Sequence, residues 1–424
     1  MTSDEQRTDA EPESTARNRR PLVALLSANV VSSVGNNITT LAVPWFVLET
    51  TGSAARMGIT GAALGTGGVL SAVLAGPLVD RLGFKRASVL ADIAAGATVV
   101  AVPLLYGAGI LRFWELLVLV FLLSSINTPG DSARFALIPA LARRAAMPVE
   151  RANAADRAIA RLAQIVGPLL AGVLIALLGA ANVLFLDAAT FVLSATLVAI
   201  GVPAALSEHA RVDDVGARLG YLSELRDGLR FVRNNALVLS MVLVATVTNF
   251  LDVPLLTVLM PVYARDNYGS AASFGGIVGA LAAGAFLGTL VFGAVGQRLP
   301  RRLTFIVSFV IAPMIIYIAL LSTPPLAVLV AAAALGGLIS GPINPTYATV
   351  IQEQTPPQML GRVFGALQSL AMAGMPVGNA LTGFAVQGLG VNITIIAMAS
   401  IYLAVTLSMF LRPALRQMDV RAKS

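Results

Sequence analysis

"GPLVDRLGFKR", residues Gly76–Arg86, stands between two long apolar segments. Its last seven residues hold four charged groups, Asp80, Arg81, Lys85 and Arg86. Charge is scarce elsewhere: Asp, Glu, Lys and Arg make up only 12% of the 424 residues. A second version, "GAVGQRLPRRL", runs from Gly293 to Leu303. Two short basic turns, each set between apolar runs, pose the question of what solvent surrounds those runs.

The composition answers it. The chain is 57% hydrophobic, with a mean hydropathy of +0.81. A soluble domain reaches roughly 45–50% even with Gly counted, and a water-soluble chain this apolar would expose very large apolar patches. The solvent is therefore lipid. No cysteine is present, so there is neither a disulfide framework nor a thiolate metal site. The net charge of +7 comes almost wholly from Arg, Lys85 and Lys423 being the lysines. That charge sits in short connections between apolar runs, which reads as membrane topology rather than nucleic-acid binding.

A helix crossing the hydrocarbon layer needs about 20 apolar residues. Twelve segments qualify, the first at 22–48 and the last at 390–411. The expected organisation is a disordered cytoplasmic tail (1–21), a six-helix bundle (22–202), a cytoplasmic linker (203–236), a second six-helix bundle (237–411) and a cytoplasmic tail (412–424). The linker carries Leu222, Leu225, Leu229 and Val232 at helical spacing, the mark of an amphipathic helix on the membrane face. The N-terminal stretch does not read as a signal peptide, because the apolar run after Arg19–Arg20 is too long and no small-residue cleavage site closes it.

With the N-terminus inside, every one of the 29 Lys and Arg except Arg56, Arg112 and Arg265 falls on the inner side. Such asymmetry obeys the positive-inside rule throughout. It predicts a multi-pass protein of the plasma (inner) membrane with both termini cytoplasmic. The halves also match each other. A shift of 217 residues places Thr40 on Thr257, Pro44 on Pro261, Gly52-Ser53-Ala54 on Gly269-Ser270-Ala271, Arg81-Leu82 on Arg298-Leu299, and Ile126-Asn127 on Ile343-Asn344. Six spans return the chain to its starting side, so the copies are parallel. The fold class expected is an all-α membrane protein of twelve transmembrane helices in two parallel six-helix repeats, an architecture used by one large class of secondary transporters.

Here the residues resemble a known family. "G-x-x-x-D-R-x-G-x-K-R" at Gly76–Arg86 is similar to the loop motif of the major facilitator superfamily. "GPLLAG", with Gly167, Pro168 and Gly172, resembles the antiporter motif of its drug exporters, and "MPVGNALTG" around Pro376 is the second-half counterpart. "INTPGDSARFALIPAL", "PWFVLETTGSA" and "GRVFGALQS" resemble the branch with the macrolide-efflux proteins and the enterobactin exporter. The sequence departs from that branch at Asn36, where an Asp is common, and at Gln297, which replaces the acid of the loop motif. The resemblance implies a cytoplasmic gate made of Gly76, Asp80, Arg81, Gly83, Lys85, Arg86 and Asp92. It also implies that spans one, four, seven and ten line a central cavity.

Those spans carry neutral polar stripes. Asn29, Ser33, Asn36 and Thr40 are spaced by four, three and four, and share a helix face. Asn249 belongs to a similar stripe, and Asn127 and Asn344 occupy equivalent points of spans four and ten. All seven are candidate cavity residues, although such side chains also join helices to one another. Ionisable groups inside lipid are functional candidates by default. Glu49 and Asp187 read as near-terminal acids reaching water, Asp92 as a partner of the basic loop, and Asp131 as an ion pair with Arg134. Asp252 is the deepest acid, with no basic residue within a turn, and is the foremost candidate for proton coupling, with Asp131 beside it.

No GxxxxGK[ST] loop is present, the single His209 lies in the linker, and no nucleophile–base pair stands out. No cofactor and no metal are expected, and no enzymatic activity. The partners expected are protons, a small-molecule substrate and the bilayer, with the chain acting as a monomer. The function expected is proton-coupled export of an amphiphilic drug or siderophore-like molecule by alternating access, with nutrient import as the alternative. A receptor is disfavoured, because no connection is long enough for an extramembrane domain.

Overall fold

The structure, a computed structural model, describes residues 18–203 and 217–419, without the side chains of 72–78, 80 and 217–224. The tail 1–17, the linker stretch 204–216 with His209, and 420–424 lie outside it. The first six helices are α1 (Arg20–Thr51), α2 (Ala54–Leu82), α3 (Phe84–Gly107), α4 (Phe113–Arg144), α5 (Val149–Leu178) and α6 (Ala180–Gly201). The short α7 (Ala217–Asn234) precedes α8 (Ala236–Tyr268), α9 (Ala271–Arg298), α10 (Arg301–Leu321), α11 (Leu326–Gln354), α12 (Pro357–Leu389) and α13 (Val391–Leu411). Among the described residues, eleven of these are long and apolar enough to cross a membrane; α2 is a further helix of 29 residues.

Several helices outrun the apolar segments. α5 starts at Val149, well before its apolar stretch, because Ala-rich polar sequence continues the helix past the lipid. Their outward faces are apolar: Leu177 is 75% exposed, Ile200 83% and Leu411 83%, values that fit hydrocarbon rather than water. In α7, Val232 is buried and Leu225 partly so, while Leu229 of the same stripe is exposed and Leu222 lies outside the described side chains.

Five helix pairings organise the first half: α1 with α5 and α6, α2 with α4, and α3 with α4 and α6. Five pairings organise the second: α8 with α12 and α13, α9 with α11, and α10 with α11 and α13. Two seams join the halves, α2 against α12 and α5 against α9. Both are built around facing glycines. A Cβ placed on Gly58 would lie 2.8 Å from the Gly383 Cα, and one on Gly172 2.9 Å from the Gly275 Cα. Such approach is open only to glycine.

The buried core is continuous at one end and divided at the other. Around Trp45, Ile175, Tyr263, Phe274, Tyr317 and Val386, a single cluster spans both halves. At the opposite end, Leu22, Leu137, Leu141 and Val198 pack within the first half alone. There Leu237, Phe305, Val350 and Met409 pack within the second. The halves are thus sealed together at the Trp45 end and packed separately at the end rich in Arg.

Candidate functional site

A cavity of about 530 Å³ lies between the halves. α1 contributes Asn37, Thr40 and Leu41, and α5 contributes Gln164 and Pro168. α8 contributes Asp252, Val253, Leu255, Leu256 and Thr257, facing Phe274 and Leu281 of α9, Phe309 and Ile316 of α10, and Tyr402 of α13. A second hollow, of about 490 Å³, is lined by Thr289, Gln297, Arg301 and Thr349, all from the second half. The first is the stronger candidate because both halves build it.

The shape of α8 follows from its sequence. Pro254 removes one backbone donor within the helix, and Leu255–Leu259 wind as a π turn just beyond. The wider turn brings Leu255, Leu256 and Thr257 to the cavity wall. The Thr257 hydroxyl sits there between two acceptors, the Val253 carbonyl at 2.9 Å and Asn379 Oδ1 of α12 at 2.8 Å, which share its one proton. One turn earlier, Asp252 is the sole acid on the wall among the described residues. The Tyr402 hydroxyl donates to its Oδ2 at 3.4 Å, and no cation among the described residues pairs with it.

The span-one stripe divides. Thr40 lines the cavity and donates to the Asn36 carbonyl at 2.8 Å. Asn36 accepts from Asn127 at 3.2 Å, tying α1 to α4, and Asn29 donates to Asp156 of α5 at 2.7 Å. Ser33 offers its carbonyl to Asn37 at 2.8 Å. Asn249 lies one turn before Asp252 and is half-buried; Asn344 adjoins the wall residue Ile343. The sequence reading passed over Asn37, Gln164 and Tyr402. Gln164 was within reach, because it stands four residues before Pro168 on one helix face. The pairing of Tyr402 with Asp252 spans 150 residues and leaves no local signal.

A buried ionic cluster occupies the first half. Arg134 of α4 donates to both oxygens of Asp92 on α3 at 2.7 and 2.8 Å. It also donates to Asp131 at 2.5 Å and to Ser32 of α1 at 3.0 Å. Ser194 of α6 donates to Asp92 at 2.7 Å. Arg134 and Asp92 are almost wholly buried, whereas Asp131 has a 56% exposed side chain. The partner of Asp92 is therefore Arg134, not the basic turn: the acid is buried within the bundle. Asp187 also departs from expectation. It is completely buried on α6, accepting from Thr39 and Thr190, and Gly35 makes room for it. Glu49 is exposed and accepts from the Trp45 indole at 2.5 Å.

The turn between α2 and α3 is a single residue. Gly83 ends α2 and starts α3 with φ 76° and ψ 151°, a conformation closed to residues with a Cβ. Arg81 and Arg86 are exposed there and Lys85 half-exposed; the surroundings of Gly76 and the side chain of Asp80 lie outside the description. The second copy turns differently, through a 3₁₀ turn at Gly296–Arg298 followed by Pro300. Each position of "GPLLAG" has its own neighbour. Gly167 lies against Asn37, Pro168 lines the cavity, and Gly172 seals α5 to α9.

Comparison with known proteins decides the family. Residues 18–424 match the model of the transmembrane secretion effectors, a group of major facilitator proteins. The chain belongs to this family. Among major facilitator proteins it is 32% identical over 409 residues to the multidrug efflux pump Tap of Mycobacterium tuberculosis, covering 95% of this chain and 96% of the pump. It is 23% identical to macrolide efflux protein A of Streptococcus pyogenes, over 93% and 96% of the two chains. The fold matches a bacterial homologue of the lysosomal transporter Spinster, solved inward-facing and unoccupied, with TM-score 0.73, 15% identity and coverage of 96% and 100%. This major facilitator protein is accordingly a multi-pass membrane transporter.

Proposed function

We propose that the chain is a secondary exporter of amphiphilic small molecules, driven by proton entry and working by alternating access. The observation that carries this reading is the cavity between the halves, apolar for most of its wall and holding one acid, Asp252, with the halves sealed at one end only. The efflux names of the relatives support the outward direction. In this reading α2 completes a set of twelve spans, and the corresponding helix pairings reflect two parallel six-helix repeats. The Arg-rich end faces the cytoplasm, as the positive-inside rule requires, with both termini there. The sealed Trp45 end faces outward.

Protonation of Asp252 removes the one formal charge that the described residues place on the cavity wall, which favours closing apolar helices around it. One proton crossing 100 mV releases about 2.3 kcal/mol, enough for roughly fortyfold accumulation of a neutral substrate. The basic turn at Arg81–Arg86 acts as a latch at the cytoplasmic mouth, and Asp131, exposed beside Arg134, is a second site that a proton can reach. The chain works as a monomer. The test is efflux by inside-out vesicles under an imposed pH gradient. Wild type should accumulate an amphiphilic dye when the lumen is acid. Asp252→Asn should still bind the dye yet lose its response to the gradient. Full gradient-driven transport by Asp252→Asn removes this residue from the mechanism.

A further inference from the structure

Arg157, Arg161, Gln164 and Pro168 follow one another on α5 at spacings of four, three and four, and so share a helix face. The last two line the cavity. The first two are exposed and continue the same face toward the Arg-rich end, where the halves pack separately. Arg161 Nη1 donates to Gln164 Oε1 at 3.0 Å, so the guanidinium sits against a cavity-wall atom. Arg157 is occupied differently, lying 5.4 Å over the ring of Phe135. The nearest acid on α5, Asp156, accepts from Asn29 of α1.

The position of Arg161 is what sets it apart: other described arginines also lack a carboxylate partner, but this one bonds a side chain of the cavity wall. Arg134, Arg265, Arg301 and Arg362 each have a carboxylate partner: Asp92 with Asp131, Asp266, Glu353 and Asp227 respectively. Among the described residues Arg161 has none, and its one hydrogen bond goes to a neutral amide. A guanidinium with four N–H donors to spare, at the mouth of an apolar cavity, lacks an anion to receive them.

We infer that Arg161, braced by Gln164, is an anion subsite of the cavity, selecting amphiphiles that carry a carboxylate, phenolate or similar acidic group. The hydrocarbon part of such a molecule fits the wall of Leu256, Phe274, Leu281 and Ile316, while its acidic group is held at the mouth by the guanidinium. The planar fork suits the two oxygens of a carboxylate, which a lysine cannot reproduce. The subsite lies at the opposite end of the α5 stripe from the α5–α9 seam, and so on the path by which a molecule enters. This inference rests on the export reading for the cavity's role as the substrate site.

The experiment measures binding to the purified full chain in detergent, by fluorescence anisotropy, of a xanthene dye with a free carboxylate and of that dye's methyl ester. Wild type should bind the acid more tightly than the ester. Arg161→Gln should weaken the acid at least tenfold, the loss of the guanidinium–carboxylate pair, and move the ester less than twofold. Arg161→Lys should recover only part of the preference. Wild type that binds the acid no better than the ester, or Arg161→Gln that keeps the preference, overturns the inference. Vesicle flux of the ester reads the export proposal separately. A charge preference without flux leaves the subsite and removes the exporter; flux without a charge preference does the reverse.

Discussion

Arg134 shows how a charge is held inside a membrane bundle. It enters lipid depth only because Asp92, Asp131, Ser32 and Ser194 converge on it from four helices. Removing it leaves Asp92, 2% exposed, without a counter-charge. Arg134→Met should therefore lower stability by about 3–5 kcal/mol, read as a large drop in apparent Tm in detergent. Replacing the buried pair, Arg134→Met with Asp92→Leu, should recover most of that loss. A double variant no more stable than the single one would show that the cluster is not the cause. Gly83 makes a second residue-scale test. Gly83→Ala forces a Cβ into a conformation worth about 1–3 kcal/mol of strain, so melting should fall while the same change at Gly293, on a helix with nothing near its Cβ, should cost less. At this scale the sequence was partly legible. The i,i+3 spacing of Asp131 and Arg134 announced their pairing, and the isolation of Asp252 within its own helix marked it out. The partner of Asp92 was not legible, because hydropathy places a residue along a helix but not the direction in which it points. Asp187 was misread for the same reason: depth was judged from the helix end, and the polar pocket of Thr39 and Thr190 comes from two helices.

Between helices, the seams carry the argument. α5 meets α9 through Gly172 and Gly275, and α2 meets α12 through Gly58, Gly61, Asn379 and Gly383. A Cβ at Gly172 would meet the Ala271 carbonyl at 2.7 Å, backbone that cannot swing aside. Gly172→Leu should consequently push α5 off α9 and unseal the Trp45 end. With cysteine introduced at Phe274, a residue now 2% exposed, the variant should label with a membrane-impermeant maleimide at least severalfold faster than the same cysteine alone. The chain has no cysteine of its own, so the background is nil. Unchanged labelling would mean that the glycine seam does not hold this end shut. Glycines and prolines in matching places announced both copies of the pattern before any helix was placed. What remained hidden was the π turn after Pro254, since a proline in a helix forecasts a bend but not its form. Helix ends were also blurred: α4 and α5 continue past their apolar stretches into polar sequence, where hydropathy gives no guide.

The whole molecule is a pair of bundles sharing one core at the Trp45 end and keeping separate cores at the other. Its helical class was readable from hydropathy, because lipid leaves a chain few alternatives. Which end was closed was not readable, since that depends on contacts between residues hundreds of positions apart. The stacked rings of Trp45 and Phe274, 6.2 Å apart, and the 3.0 Å bond from Ser53 to Gln387 are examples. The central claim is that this closure exchanges with closure at the Arg-rich end. Its most direct test is a pair of spin-label distances in reconstituted protein, Ser53→Cys with Gln387→Cys at one end and Arg144→Cys with Gln352→Cys at the other. On adding an amphiphilic substrate and acidifying, the first distance should lengthen as the second shortens, in the same fraction of molecules. Two distances that stay fixed, or that lengthen together, would contradict the account.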